Sequence, residues 1–481
     1  MATLFWHDYE TTGTDPARDR PLQFAGVRTD ENLEPMGEPV QFHCRPDPLL
    51  LPHPAACLVT GISPQQAQRE GLPEPEFAAR VIAELGAPGT CGVGYNSLRF
   101  DDEFTRFLLY RNFYDPYERE WRDGNSRWDI IDLLRVARAL RPDGIRWPDH
   151  EDGGPSFRLE DLAAANGIAH GQAHDALSDV LATLDLARLV RRRQPRLYRH
   201  LYEQRGRRHL LPLLDPAARR PVLHVSGRLP RERGYAGLLL PLARQPGNAN
   251  GIICFDLMGD ARALVRLDAE AIRELVFSPA AALPAGAERL PLKVIHLNRC
   301  PVVLTPKLLD AATARRLHID LERCADHLRI LQGAELEAKL ALVFAPPAAS
   351  RPGVDAEAEL YAGFLADAER PLLARVRAAA GHELDPARIP FRDARYRELL
   401  FRYRARYFPE TLSDAERDNW REFCRWRLTD PHSGYLGLAA FRAELVQLGT
   451  EPAGAARRHL LEALAEWGDR VAAALGIAAA G

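Results

Sequence analysis

The first 195 residues alternate short apolar runs with stretches of helical periodicity. Thr3–Trp6 is a mostly apolar run that soon reaches the turn-forming segment TTGTD, as a buried strand does where it enters a loop. The segments 25–27 and 40–42 predict two further strands. Apolar residues at three- and four-residue spacing predict amphipathic helices over 130–140 and 177–187. This mixture of strands and helices predicts an α/β domain.

The pattern changes after Arg188. A strongly basic stretch, 188–208, predicts a helix that runs into a domain junction. Strand-like runs between about 220 and 305, separated by Gly and Pro, predict a mostly β module with a few helices. A Pro-rich linker covers 346–356, and helical patterns follow at 360–368, 414–428 and 455–475. We therefore predict three domains, at 1–195, 196–347 and 356–481.

Composition narrows the class of protein without naming its chemistry. The 481 residues favour two to four domains, and 46% hydrophobic residues are enough for a buried core. The net charge of −3 gives no general sign of nucleic-acid binding. Seven scattered cysteines, without a CxxC pair, argue against a zinc site and fit a reducing compartment. The N-terminal residues do not resemble a signal peptide and no apolar stretch could span a bilayer, so we expect a cytoplasmic protein.

The strongest chemical signal is the sequence Asp8-Tyr9-Glu10. Side chains two residues apart on a strand point to the same face, so these two carboxylates meet at one place. Adjacent carboxylates repel each other unless a cation neutralises them, and oxygen-rich sites select Mg²⁺ or Mn²⁺. In isolation this pair would more often be a solvated turn after a strand.

Two more acidic segments follow. In the first, GYNSLRFDDEF, Asp101 precedes a helical pattern and is a third candidate metal ligand. Asp102 and Glu103 could instead stabilise the N-terminus of that helix through their negative charge. In the second, His174 stands just before an amphipathic helix and Asp179 lies five residues later. A histidine can take a proton from water near neutral pH. Taken alone, His174 would more often be an ordinary residue at the start of a helix.

The order of these segments is more informative than any one of them. A DxE on an early strand, an aspartate before a helix near position 100 and an H-x4-D pattern resemble the three motifs of the DEDDh superfamily of 3′→5′ exonucleases. Longer segments resemble the bacterial exodeoxyribonuclease I family. They are FWHDYETTG, GYNSLRFDDEFTR, NSRWDIIDLLRVARALRP, PSFRLEDLAAANGI, AHDALSDV, HVSG and YRARYFPETL.

The resemblance implies a fold and an activity. The fold would be an α/β multidomain protein with an RNase H-like exonuclease domain, an SH3-like β domain with added helices, and a helical C-terminal domain. The activity would be magnesium-dependent 3′→5′ hydrolysis of single-stranded DNA to 5′-mononucleotides, in DNA repair and recombination. The family also binds the acidic C-terminal tail of single-stranded DNA-binding protein, and the resemblance favours a monomer.

The motif positions assign roles within this sequence. The metal ligands would be Asp8, Glu10, Asp101 and Asp179, with Asp8 shared between two Mg²⁺ ions and Mn²⁺ as a substitute. His174 would deprotonate or orient the attacking water.

Contacts outside the motifs are predicted from residue type. Arginines neutralise phosphates and aromatic rings stack on bases, which makes the 188–208 cluster a set of candidate DNA contacts. A second set is Arg402, Arg404 and Arg406 with Tyr403 and Tyr407, for which the alternative is a solvated helix face with buried tyrosines. Asn96 and Arg99 are candidate contacts of the terminal nucleotide, although Asn96 could equally have a structural role in its own turn. Arg141 is the candidate for binding the acidic partner tail.

Three other functions fit part of the pattern. An RNA-directed DEDDh 3′→5′ exonuclease shares the motifs, but such enzymes are usually about one domain long. A catalytically inactive nucleic-acid-binding scaffold would be expected to lack at least one carboxylate. A proofreading subunit of a polymerase gives no reason for the β module or for the C-terminal helices.

Overall fold

The computed structural model describes residues 2–171, 175–283, 286, 288–346, 355–452 and 454–477. The chain divides into two compact units, which do not follow chain order. The first contains Met1–Ser126, Gly171–Leu181 and Arg351–Gly481, and the second contains Arg127–His170 and Ala182–Ser350. The predicted linker at 346–356 lies largely outside the described residues.

Strands and helices alternate in the N-terminal part of the chain. The strands are β1 (Thr3–Thr11), β2 (Pro21–Thr29), β3 (Val40–His43), β4 (Thr90–Gly94) and β5 (Ser126–Asp129). The helices are α1 (Pro54–Thr60), α2 (Pro64–Glu70), α3 (Glu74–Leu85), α4 (Asp101–Arg111), α5 (Ile130–Leu140), α6 (Leu159–Ala165), α7 (Ala176–Arg193), α8 (Pro195–Gln204) and α9 (Arg207–Leu210). All three predicted strands and both predicted helices of this part are confirmed.

The middle of the chain contains the β module. Its strands are β6 (Val222–Val225), β7 (Ala236–Arg244), β8 (Gly251–Asp256), β9 (Leu292–His296) and β10 (Val302–Leu304). Its helices are α10 (Ala261–Arg266), α11 (Ala269–Phe277), α12 (Ala311–Arg316), α13 (Leu321–Gln332) and α14 (Glu337–Val343). The C-terminal part is helical, with α15 (Arg370–Ala378), α16 (Ala394–Tyr407), α17 (Asp414–Thr429), α18 (Leu438–Gly449) and α19 (Ala455–Ala474).

The first sheet has the strand order β3-β2-β1-β4-β5. β1 pairs antiparallel with β2 and parallel with β4, so it lies inside a mixed sheet. Burial on both faces explains its nearly continuous apolar start, since Leu4, Phe5 and Trp6 are all buried. Aromatic side chains from β1, β2 and α3 form one core, which contains Phe5, Tyr9, Phe24 and Phe77.

The C-terminal helices complete the first unit. Two hydrophobic clusters join them to the N-terminal segments of the same unit. One contains Phe107, Tyr110 and Phe113 with Tyr396 and Leu400, and the other contains Leu51 and Cys57 with residues of α17–α19. Polar and charged groups are buried with them, including Arg20 and Glu357, which form an ion pair.

The second unit contains a separate sheet with the order β10-β6-β7-β8-β9. All four described pairings in it are antiparallel, and the alternation of apolar residues buries Leu239, Ile252 and Val303 in its core. This agrees with the predicted mostly β module.

One predicted helix is wrong. Residues 360–368 form two short 3-10 turns, Leu360–Ala362 and Asp367–Glu369, and the α-helix begins only at Arg370. Gly363 separates the turns in a fully extended conformation, with φ 162° and ψ 171°. Glycine disfavours a helix interior, and Pro371 is accepted because it lies in the first turn of α15. Within the described part of the chain, no helix is both long and apolar enough to cross a membrane.

Candidate active site

β1 places Asp8 and Glu10 on one face of the sheet. The strand extends to Thr11, further than the apolar run alone predicts, so both carboxylates lie on the strand itself. The pairing of β1 with β2 shifts register between Glu10 and Thr11. Such a bulge turns side chains at the end of a strand, which often occurs beside active sites. Glu10 is buried and Asp8 is partly exposed.

The start of α7 brings Asp179 to the same place. Gln23 lies opposite Glu10 in the β1–β2 pairing, and its side-chain oxygen accepts a hydrogen bond from the backbone N–H of Ala176 at 3.3 Å. This contact ties the first turn of α7 to the sheet. Carboxylate oxygens of Asp8, Glu10 and Asp179 all lie within 4.8 Å of one another. Among the described residues, this is the one group of at least three such side chains with the spacing of a metal site.

Asp101, which the sequence places just before a helical pattern, is itself the first residue of α4 and is almost fully buried. Its carboxylate accepts a hydrogen bond from the backbone N–H of Tyr9 at 3.1 Å, so it is held beside the strand that carries Asp8 and Glu10. It lies outside the 4.8 Å group, yet it is close enough for its charge to raise the pKa of both residues.

Burial and mutual repulsion shape the electrostatics of this cluster. Burial, followed by the charges of Asp101, Glu10 and Asp179, raises the pKa of Asp8 well above its usual range. Burial, followed by the charges of Asp179, Asp101 and Asp175, raises the pKa of Glu10 to about 9. Carboxylates held this close are stabilised by a positive charge among them. The donor set therefore fits a hard divalent cation such as Mg²⁺ or Mn²⁺.

His174 lies outside the described residues, so its predicted role stays a prediction. The residue after it, Asp175, was not among the predicted site residues, yet its charge reaches both Asp8 and Glu10. Its carboxylate accepts hydrogen bonds from the Gln41 side chain at 2.8 Å and from the backbone N–H of Ser178 at 3.3 Å. The sequence signal that could have identified Asp175 is its position in AHDALSD, between the predicted site residues His174 and Asp179.

A buried polar layer lies behind the site. Asp102 forms an ion pair with Arg119, and both are buried. Burial lowers the pKa of His7, on the opposite face of β1 from Asp8, to about 4, so its ring is neutral at physiological pH. Asp102 therefore has a structural partner inside the protein as well as a place in the first turn of α4.

The hydroxyl of Tyr9 connects β1 to α4. It is hydrogen bonded to the hydroxyl of Thr105 at 3.0 Å. The Thr105 hydroxyl in turn donates a hydrogen bond to the backbone carbonyl oxygen of Asp101 at 2.8 Å. We expect Tyr9→Phe to lower kcat about three- to tenfold and to raise the Mg²⁺ concentration needed for half-maximal activity, because Asp101 loses a support. Steady-state kinetics over a Mg²⁺ titration measures both.

Tyr110→Phe is the matched control for this variant. The Tyr110 hydroxyl is also buried on α4, where it donates to the carbonyl of Ala356 at 2.9 Å. Both variants lose one internal hydrogen bond, about 1 kcal/mol of stability. Equal Mg²⁺ dependence in the two variants would show that the Tyr9 hydroxyl has no special effect on the site.

The predicted contacts for a terminal nucleotide lie in the turn that connects β4 with α4. Asn96 has a left-handed backbone (φ 58°) and its carbonyl accepts a hydrogen bond from the N–H of Arg99, which supports a role in the turn. Gly94 precedes this turn, where a Cβ atom would come within 2.7 Å of the Ser97 Cβ. Arg99 is exposed, two residues before Asp101.

Two of the predicted DNA contacts on α16, Arg404 and Tyr403, are buried. Arg404 is 6% exposed, and its guanidinium donates to Glu416 at 2.7 Å and to the carbonyl of Thr411 at 2.8 Å. Tyr403 is 9% exposed and packs edge-on against Phe113, with ring centroids 5.5 Å apart. Both side chains serve the interior of the first unit, which argues against direct contact with DNA.

The predicted basic surface has a different character. Within 188–208, the exposed arginines are Arg192, Arg193, Arg196, Arg199, Arg207 and Arg208. Arg141, the predicted partner contact, is exposed directly after α5, where its guanidinium donates to the carbonyl of Leu140 at 2.6 Å. These side chains lie at the surface of the second unit and are available to anionic ligands.

Three family models match successive parts of the chain. The model described as Exonuclease matches residues 5–187, which include every predicted catalytic position. The models described as Exonuclease I SH3-like domain and Exonuclease I C-terminal domain match residues 205–346 and 354–471. The predicted fold class is confirmed.

Curated relatives and solved structures agree with these models. Exodeoxyribonuclease I of Escherichia coli is 45% identical over 88% of this chain and 90% of its own, and that of Haemophilus influenzae is 43% identical over 88% and 89%. A structure of Exonuclease I from Methylocaldum szegediense has a TM-score of 0.93 at 48% identity, covering 98% of this chain and all of that one. A structure of E. coli Exonuclease I in complex with a dA16 oligonucleotide has a TM-score of 0.92 at 42% identity, with the same coverage. The chain belongs to the exodeoxyribonuclease I family.

Proposed function

We propose that this protein is a 3′→5′ exonuclease that hydrolyses single-stranded DNA to 5′-mononucleotides with two Mg²⁺ ions. The observation that carries the proposal is the carboxylate cluster of Asp8, Glu10 and Asp179, with Asp101 held beside it. Membership of the exodeoxyribonuclease I family supports the choice of single-stranded DNA as the substrate.

Asp8, Glu10, Asp101 and Asp179 would hold the ions. The charges of the other three carboxylates all raise the pKa of Asp8, which supports Asp8 as a ligand of the bound ions. Bound divalent ions neutralise the phosphate and stabilise charge on the leaving oxygen. Ions held by these four carboxylates would bind the scissile phosphate beside them.

His174 would act on the attacking water. It takes one proton from the water as the oxygen attacks phosphorus, and the bond from phosphorus to the 3′-oxygen breaks. The phosphate stays on the released nucleotide as a 5′-phosphate, and the shortened strand keeps a 3′-hydroxyl after protonation of its oxygen. Asp175, hydrogen bonded to Gln41, helps to fix the segment between His174 and Asp179.

The raised pKa of Glu10 gives a prediction for pH and metal ions. This carboxyl titrates near 9 in the folded protein and near 4.5 otherwise. Between these pH values the folded state binds a proton that the unfolded chain has released. Without metal ions, the free energy of unfolding should therefore fall as the pH rises from about 5 to about 9. Mg²⁺ displaces that proton, so it should raise the Tm more at high pH.

Thermal unfolding in EDTA and in Mg²⁺, across this pH range, measures the effect. Glu10→Gln provides the control, because it removes one titrating group and should reduce the pH dependence in EDTA, while Asp8, whose pKa is also raised, retains the remainder. A Tm increase from Mg²⁺ that is the same at every pH in the wild-type protein would contradict the assignment.

Substrate binding would depend on exposed arginines of the 188–208 cluster. Arginines that neutralise phosphates release counterions, so affinity for DNA should fall steeply as salt rises. Arg99 is the proposed contact nearest in sequence to the metal site, with Asn96 shaping the turn. Tyr403 and Arg404 are not included, because their side chains are buried.

We further propose that the protein, as a monomer, binds the acidic C-terminal tail of single-stranded DNA-binding protein, with Arg141 as one contact. Arg141→Ala should weaken binding of a fluorescent tail peptide about three- to tenfold, since a charge-assisted hydrogen bond is lost. Arg262→Ala, which removes another exposed arginine, on α10, controls for net charge. Unchanged affinity of the Arg141 variant would reject this contact.

The substrate class is tested with one strand sequence in three forms. Single-stranded DNA, the matching duplex and the matching RNA are incubated with the protein in Mg²⁺ and then in EDTA. We expect Mg²⁺-dependent degradation of the single-stranded DNA, with the duplex mostly spared. Faster degradation of RNA would favour the ribonuclease alternative, and binding without hydrolysis would favour the inactive scaffold.

A further inference from the structure

A row of polar side chains crosses one face of the first sheet beside the start of α7. Gln23 of β2 lies opposite Glu10 of β1 on one side and opposite His43 of β3 on the other. Residues directly opposite each other on neighbouring strands project from the same face of a sheet. Glu10, Gln23 and His43 therefore form one row, with the carboxylate cluster at one end and a histidine at the other.

The side chain of Gln23 completes the hydrogen bonding of α7. The first N–H groups of an α-helix have no partner within the helix. The N–H of Ala176, the first residue of α7, donates to the side-chain oxygen of Gln23 at 3.3 Å. Directly before the helix, Asp175 accepts a hydrogen bond from Gln41 of β3 at 2.8 Å. Two glutamines of neighbouring strands therefore hold the turn that leads to Asp179.

The two neighbours of the Gln23 amide fix its orientation. A backbone N–H can only donate, so the amide oxygen of Gln23 must face Ala176. The amide nitrogen of Gln23 then faces Nε2 of His43, at 3.2 Å. An amide nitrogen also only donates, so Nε2 of His43 must accept and the ring proton must be on Nδ1. The hydrogen bond from Gln23 to α7 thus depends on a neutral His43.

Protonation of His43 would reverse the role of Nε2. Two donors would then face each other, and the Gln23 amide would have to turn its oxygen towards His43. Its nitrogen would then face the N–H of Ala176, which cannot accept, and the cap of α7 would be lost. Histidine is the side chain that ordinarily changes charge between about pH 5 and 8.

Other charged groups lie around His43. Glu70 of α2 has a carboxylate oxygen 3.8 Å from Nδ1 of His43, and Asp175 is hydrogen bonded to the same strand. Glu10 lies beyond Gln23 in the row, and the exposed Arg45 follows His43 along the chain. Because Glu10 also titrates below about pH 9, only a variant that lacks the imidazole, compared at the same pH, isolates the effect of His43.

We propose that Gln23 and His43 are positioning residues for α7, and that a neutral His43 keeps Asp179 in place to bind metal ions. For its effect on hydrolysis the proposal rests on the proposed function, which makes Asp179 a metal ligand. A side chain that orients a metal ligand affects the affinity of the site for its ion. Loss of the bond to Ala176 at low pH should therefore loosen the first turn of α7 and weaken Mg²⁺ binding.

Hydrogen exchange in EDTA tests the positioning without hydrolysis or metal ions. Mass spectrometry follows peptides that span Ala176 at about pH 5.5 and about pH 8, on either side of the ordinary histidine titration. His43→Gln retains an acceptor that does not titrate, whereas His43→Leu removes the acceptor. At the lower pH the first turn of α7 should exchange about three- to tenfold faster in wild type than in His43→Gln, because one hydrogen bond is lost. At the higher pH these two proteins should match, and His43→Leu should exchange faster than both.

His382→Gln is the matched control, because it removes an exposed histidine from the same unit and should exchange like wild type at both pH values. A Mg²⁺ titration of hydrolysis should follow the same pattern. At the lower pH, wild type should need about three- to tenfold more Mg²⁺ than His43→Gln for half-maximal rate, and at the higher pH the two should be equal.

Equal exchange of the first turn of α7 in wild type and His43→Gln at the lower pH would overturn the proposal. Equal Mg²⁺ requirements of these two proteins at that pH, in active preparations, would overturn it as well. If no preparation hydrolyses DNA while the exchange pattern is as expected, the positioning of α7 is supported and only the proposed function is contradicted.

Discussion

Asp179→Ala is expected to reduce hydrolysis of single-stranded DNA by at least about a thousandfold, because metal-ion catalysis supplies several kcal/mol of transition-state stabilisation. Asp179 is one of three residues whose carboxylate oxygens lie within 4.8 Å of one another. Binding of the strand should persist, because phosphate contacts by arginines do not need this carboxylate. Single-turnover hydrolysis in Mg²⁺ and oligonucleotide binding in EDTA give the two quantities.

Asp185→Ala is the control on the same helix. Asp185 is partly exposed and paired with Arg188 at 3.0 Å, outside the carboxylate cluster. We expect near wild-type hydrolysis from this variant. A near wild-type rate for Asp179→Ala, or equal losses in the two variants, would contradict the assignment of Asp179 as a metal ligand.

The second large effect concerns stability. Glu357 is fully buried and forms ion pairs with Arg20, Arg402 and Arg406. Burial by itself would raise the pKa of Glu357, but the charges of Arg406, Arg20 and Arg402 outweigh it and hold the pKa well below its usual range. Glu357→Leu should lower the free energy of unfolding by about 3–5 kcal/mol, because buried guanidinium groups lose their partner. Chemical denaturation measures this loss.

Glu410→Leu serves as the comparison, because Glu410 is exposed in the same unit and should change stability by less than about 0.5 kcal/mol. A loss for Glu357→Leu no greater than this would show that the arginines find other partners. Glu357→Leu should destabilise the fold without selectively weakening Mg²⁺ binding, which distinguishes this variant from the active-site variants.

Local patterns predicted the part of the site that depends on neighbouring residues. The spacing of Asp8 and Glu10 placed both on one face of a strand, and Asp101, expected just before a helix, is the first residue of that helix. The contribution of Gln23, which ties α7 to the sheet, depends on the register of β1 against β2. No local pattern specifies that register, so this contact appears only in the fold.

The sequence was least informative where segments distant in the chain pack together. Arg404 and Tyr403 look like a basic aromatic surface, yet α16 is buried within the first unit and turns them inward. The pairing of Glu357 with Arg20 spans more than 300 residues, and no periodicity indicates it. Long-range ion pairs of this kind depend on tertiary packing, whereas strands and helices depend mainly on residues close in sequence.

The central claim is that the carboxylate cluster removes nucleotides from the 3′ end of single-stranded DNA. A strand with different fluorescent labels at its two ends tests this most directly, in a time course with Mg²⁺ and excess protein. The account predicts early release of the 3′ label with the terminal nucleotide, while the 5′-labelled strand shortens in single-nucleotide steps, and no reaction in EDTA. Early release of the 5′ label, internal cleavage or equal activity in EDTA would contradict it.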